Sequence, residues 1–159
     1  MKKLLIAGAW VLSTLASNSY AARCPEVSEI NQSPMSGGGF SYQAPLSIQG
    51  QSFNWTGGDK WTGKDDIKTL AFTSVRIQPE TIDRTDPKKS KKWAVICRYE
   101  GQGAGNEEAN ATMVLTPGRQ MKSVSDNWKT PPLNAKSQLT APVGTFDCSA
   151  ATPSECEFN

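Results

Sequence analysis

The side chains best suited to chemistry or contact lie in a short tandem. Trp55-Thr56-Gly57-Gly58-Asp59-Lys60 is followed at once by Trp61-Thr62-Gly63-Lys64-Asp65-Asp66. Tryptophan, threonine, glycine and an acid recur in the same order. Two copies are too few for a solenoid. Read structurally, the segment is a pair of tight turns: glycine supplies the geometry, the acid caps it and each indole covers part of the core. Read functionally, it is a loop that shows two indole faces, Trp55 and Trp61, beside Asp59 and Asp65. Such a surface suits the apolar face of a sugar or a protein partner. Calcium held by Asp59, Asp65 and Asp66 fits less well, because the spacing departs from that of an EF-hand.

Two other charged groups invite a chemical reading. Glu107 and Glu108 are adjacent in a glycine- and asparagine-rich turn. Paired carboxylates serve as acid and base in glycoside cleavage, but that work needs fixed geometry across a substrate. Neighbours on a turn do not supply it, so they read as solvated charge. Between Arg84 and Lys92, Lys88, Lys89, Lys91 and Lys92 follow Asp83 and Asp86. A solvated loop is the plain reading, and a patch for an anionic envelope component is the sharper one. Histidine is absent from the chain. That removes the usual general base near neutral pH, with every Ser-His-Asp, Cys-His and His-metal arrangement. No pattern for a cofactor is present.

The four cysteines are Cys24, Cys97, Cys148 and Cys156. An even number in an oxidising compartment implies two disulfides, with three pairings to choose from. The favoured pairing is Cys24 with Cys97 and Cys148 with Cys156. The first would tie the start of the domain to a central strand, and the second would close a short loop holding Pro153. Bonding Cys24 to Cys148 or Cys156 would cinch both ends together and stays open. No Cys-x-x-Cys spacing supports zinc. Arg23 stands where a lipobox needs a small residue, which argues against a lipid anchor on Cys24.

The compartment follows from the first residues. Lys2 and Lys3 precede a mostly apolar run over residues 4–15, and Ser19-Tyr20-Ala21 places small residues where a signal peptidase reads. This predicts a secretory signal peptide over residues 1–21, cleaved after Ala21 or Ala22. Residues 22–159 would then form one disulfide-stabilised domain without a transmembrane anchor, periplasmic or secreted. The precursor has 17 basic and 15 acidic residues. Lys2 and Lys3 leave with the leader and no acid does, so the mature charges balance. That excludes general nucleic-acid binding, which needs a basic excess. The bacterial style of the leader sets aside the glycosylation patterns at Asn54-Trp55-Thr56 and Asn110-Ala111-Thr112.

The elements that must position these residues read as strands. Trp93, Val95, Cys97 and Tyr99 share one face at a period of two, which makes residues 93–99 the clearest strand. Residues 69–78 alternate with apolar residues on both faces, as in a strand packed on two sides. Residues 46–55 change face midway, which predicts a bulge or twist. Residues 40–42, 111–116, 120–124 and 143–148 complete the set, with one helical turn at Asp65-Asp66-Ile67-Lys68. Gly101 to Gly105 reads as a flexible turn, and residues 128–142 as proline-rich and irregular. Short strands cut by glycine and proline predict a mainly β fold, a small antiparallel sandwich or barrel with two disulfides.

Several short motifs are shared with a family. The Cys24-Pro25 start with Ile30, then Gly39, Tyr42-Gln43-Ala44-Pro45, Trp55-Thr56-Gly57, Ala71-Phe72, Cys97-Arg98-Tyr99 and the closing Cys148 … Cys156-Glu157-Phe158 resemble small exported proteobacterial proteins of a domain-of-unknown-function family. The resemblance spans nearly all of the mature chain. It implies export and an oxidised β-rich fold, and places Trp55 and the cysteines in a shared framework. It implies no activity.

These features predict a non-enzymatic binding protein of the envelope or extracellular space, in one form an inhibitor or immunity-type protein. Its partner would be a protein of that compartment. The alternative is a glycan or cell-wall binding module using Trp55 and Trp61. A hydrolase relying on carboxylates is the third reading.

Overall fold

The computed structural model describes residues 21–80, 92–103, 107–136 and 140–159. Residues 1–20 of the expected leader, the basic run over residues 84–91 and residues 104–106 of the glycine-rich turn lie outside them. Seven strands form one antiparallel sheet: β1 (Asn31–Pro34), β2 (Phe40–Ile48), β3 (Gln51–Asp59), β4 (Ala71–Pro79), β5 (Trp93–Gln102), β6 (Glu108–Leu115) and β7 (Phe146–Ser149). The order is β1-β2-β3-β6-β5-β4-β7. The mainly β, antiparallel character and both disulfides are as the residue pattern predicts.

Two neighbouring rungs show how the sequence divides the sheet into faces. Gln32, Tyr42, Gly57, Met113, Cys97, Val75 and Cys148 lie in register across all seven strands. From Tyr42 to Cys148 every side chain in this rung is buried. One residue along, Asn31, Gln43, Thr56, Val114, Ile96, Arg76 and Asp147 form the next rung. Its members are exposed or half-buried, because successive side chains alternate across the sheet. On this outer face Arg76 donates to both carboxylate oxygens of Asp147, at 2.7 and 2.8 Å, and joins β4 to β7.

The inner face is covered by the two ends of the domain. Cys24 is bonded to Cys97, and Tyr99 Oη donates to the Pro25 carbonyl at 2.6 Å. Together they hold the N-terminal segment on β5. Cys148–Cys156 holds the C-terminal segment on β7. Phe158 is fully buried and meets Trp55 and Trp128 edge-on, at centroid distances of 6.3 and 6.4 Å. Its N–H and C=O both pair with Ala22.

Three segments differ from the expectation, each for a physical reason. Residues 46–55 are a hairpin, not one bulged strand. Ile48 and Gln51 close a two-residue turn in which Gln49 and Gly50 have φ of 51° and 79°. Left-handed angles at both turn positions match the twist of the flanking strands. The change of face was therefore a chain reversal. In β4 the register shifts between Phe72 and Ser74. That bulge turns Phe72 to the same buried side as Val75 and Ile77, so the strand has one buried face. Residues 120–124 do return, but to the chain end: Lys122 pairs with Asn159 and Val124 N–H donates to Glu157. The helical turn is present as a short 3-10 segment, Asp66–Lys68.

Burial of two phenols makes the fold sensitive to alkali. Burial, with the nearby Asp66 and Asp59 charges second, pushes the Tyr42 phenol up to about 12. Burial pushes Tyr99 well above the usual tyrosine range, and Glu26 and Glu29 add to it. Unfolded tyrosines ionise first, so the unfolded state loses protons before the folded one. The stabilisation is complete below a pH of about 10 and falls as pH rises through about 12. Urea midpoints should hold steady to mildly alkaline pH, then drop as phenolate absorbance appears. A midpoint independent of pH across that window would contradict the burial of both hydroxyls.

Candidate functional site

The two halves of the tandem fold differently. Trp55-Thr56-Gly57-Gly58 belongs to β3, and Trp55 is 1% exposed on the inner face. Gly57 has no side chain because β6 leaves no room: a Cβ there would strike the Thr112 carbonyl. Gly58, at φ 77°, would carry a Cβ into the Phe40 carbonyl of β2. The first half is therefore a strand whose glycines permit close pairing on both sides.

The second half is a turn held from within. Asp59 Oδ1 accepts the Trp61 N–H at 2.7 Å and the Thr62 N–H at 3.1 Å. Asp66 Oδ2 accepts the Gly63 N–H at 2.6 Å. Asp59 binds N–H groups that follow it and Asp66 one that precedes it, and together these side-chain-to-backbone bonds fix the turn. The turn is also tied to the sheet. Gln32 Nε2 of β1 donates to the Gly63 carbonyl at 3.0 Å. Thr69 Oγ1 donates to Gln102 O at 2.6 Å, and Gln102 N–H donates back to it at 3.0 Å.

On this braced turn Trp61 is 80% exposed. Among the described residues the other exposed large apolar side chains are Leu133, at 55%, and Val124, at 47%. Lys60 Nζ sits 4.7 Å from the centre of the Trp61 ring, a cation–π contact. Asp65 pairs with Lys68 at 2.6 Å, with both side chains mostly exposed. The Lys68 hydrogen bond, and then its charge, hold the Asp65 carboxyl below its ordinary range.

The structure thus separates the four candidate contact residues. Trp61 is presented, Trp55 is a core residue, Asp59 braces the turn, and Asp65 makes a solvent-exposed ion pair. A platform of two indoles is not formed. Asp59 and Asp66 direct carboxylate oxygens at backbone N–H groups, and no acidic cluster suited to a metal occurs among the described residues. Glu108 opens β6 and Glu107 precedes it, and both are exposed. Gln32 and Lys60 escaped sequence reading, and no local pattern marks a β1 side chain as the clamp of a turn so distant in sequence.

Beside the turn, Gly58, Asp59 and Thr62 face Asn110, Ala111 and Thr112 across a cleft of about 110 Å³. It opens because β3 and β6 pair only at Thr56–Val114 and Gly57–Met113. Sites for drug-sized molecules are several times larger, on the order of 300–1,000 Å³. The prominent feature here is a projecting side chain and not a pocket.

No family model matches the chain, and no curated protein or solved structure shows significant similarity to it. Among the described residues no helix is long and apolar enough to cross a membrane.

Proposed function

We propose that this chain is an exported, non-enzymatic binding protein of the bacterial envelope or extracellular space. Its partner is a protein, and Trp61 is the anchor that enters it. The observation that carries this reading is the 80% exposure of Trp61 on a turn whose backbone is already fixed. An indole left in water is an unused source of binding energy, and tryptophan is enriched among residues that dominate protein interfaces. A turn already ordered loses little entropy on binding. An inhibitor or immunity-type role fits this geometry, because a rigid tip can fill the cleft of an enzyme. The disulfides suit an oxidising compartment. With Trp55 in the core, a glycan would have one indole to stack on.

Tryptophan emission separates the two partner classes. In the chain from residue 22, Trp55 and Trp93 are buried and Trp128 is half-buried, so Trp61 supplies most of the solvent-quenchable signal. Trp61→Ala should remove most of that signal and change stability by no more than about 0.5 kcal/mol, as for an exposed side chain. Titration with envelope oligosaccharides should leave the emission of the native protein flat. A saturable shift that Trp61→Ala abolishes would assign the turn to a glycan instead.

A further inference from the structure

The sequence leaves two bonds at which the leader can be removed, after Ala21 or after Ala22. The structure distinguishes them. Ala22 is 4% exposed, and both of its backbone groups are used. Its N–H donates to the Phe158 carbonyl at 2.7 Å, and its carbonyl accepts the Phe158 N–H at 2.8 Å. Ala21 is only half-buried. Both alanines line an open cleft of about 190 Å³ with Arg23, Pro25, Leu46 and Trp55, so burial and backbone pairing, not the cleft, tell them apart. Ala22 is therefore the first of the described residues that is both buried and paired through its two backbone groups.

We propose that the Ala21–Ala22 peptide bond is the processing site, and that the amino terminus released there is a structural member docked on Phe158. Hydrolysis adds water across the bond: Ala21 departs with a carboxylate and Ala22 gains an ammonium group. That ammonium still donates to the Phe158 carbonyl, now with charge assistance. Cleavage one residue later removes both bonds to Phe158. The residue types agree, since Ser19 and Ala21 occupy the two positions read for the first bond, whereas the second would place Tyr20 at one of them. A peptidase needs free backbone around the bond it cuts. Ala22 is not free once Phe158 is seated, so cleavage precedes docking of the C-terminal residues.

This rests on the export reading but not on Trp61. The test is to express the full chain in a bacterium and determine the mass and N-terminal sequence of the product from periplasm and medium. One species beginning at Ala22 is expected. A product beginning at Arg23 overturns the proposal and leaves export intact, while an uncut chain overturns both. Chains 22–159 and 23–159, purified and melted side by side, give a second reading. The shorter chain should melt several degrees lower or fail to fold. Equal melting temperatures would show that Ala22 is not a structural member.

Discussion

Phe158→Ala lowers the free energy of unfolding by about 3–5 kcal/mol, the range for deleting a buried aromatic ring. The ring is fully buried between Trp55 and Trp128, near the very end of the chain. Its removal leaves a cavity bounded by β3 and by the segment that carries Trp128. The backbone bonds of Phe158 to Ala22 remain available, so the loss isolates the side chain. Phe158→Leu keeps most of the apolar volume and should cost less than half as much. Urea unfolding followed by tryptophan emission reads both, because two indoles flank the ring. A loss for Phe158→Ala below about 1 kcal/mol, typical of surface substitutions, would contradict the placement of the C-terminus in the core.

The second large effect is an ordered pair of losses from the disulfides. Cys24–Cys97 spans 73 residues of sequence and Cys148–Cys156 spans 8. Closing a longer loop removes more entropy from the unfolded chain. Cys24→Ala with Cys97→Ala should cost about 4 kcal/mol, and Cys148→Ala with Cys156→Ala about 2.5 kcal/mol. The N-terminal segment would then depend on the Tyr99–Pro25 hydrogen bond and on Ala22 with Phe158. Urea midpoints for the two double variants, with the slope held constant, check the order. A reversed order would mean that local packing around Cys148 and Cys156 outweighs loop closure.

The strands that alternate cleanly were legible in the residues. Trp93, Val95, Cys97 and Tyr99 announce β5 and its inner face, and the cysteine arithmetic anticipates both bridges. The hairpin was not legible because Gln49 occupies a left-handed position where asparagine or aspartate gives the usual signal. The bulge near Phe72 disguised a one-sided strand as a two-sided one, since one extra residue inverts the alternation. Matching Trp-Thr-Gly triplets took opposite environments. Trp55 falls on an inward position of β3, while Trp61 follows Asp59, whose carboxylate ends the strand by capping a turn. The C-terminal pairing of Glu157 to Asn159 with residues 122–124 depends on contacts far apart in sequence, which no local pattern announces.

The role of Trp61 as anchor is tested by placing a photoreactive benzophenone side chain at position 61 during expression in cells, with Leu133 substituted in parallel as an exposed apolar control. After illumination, a single protein adduct at position 61 and none at position 133 is expected. The captured protein, purified, should bind the native chain and bind Trp61→Ala at least about thirty-fold more weakly, the loss of a hot-spot residue. An identical adduct pattern at both positions, no adduct at position 61, or equal affinity for Trp61→Ala would contradict the assignment of Trp61 as the anchor.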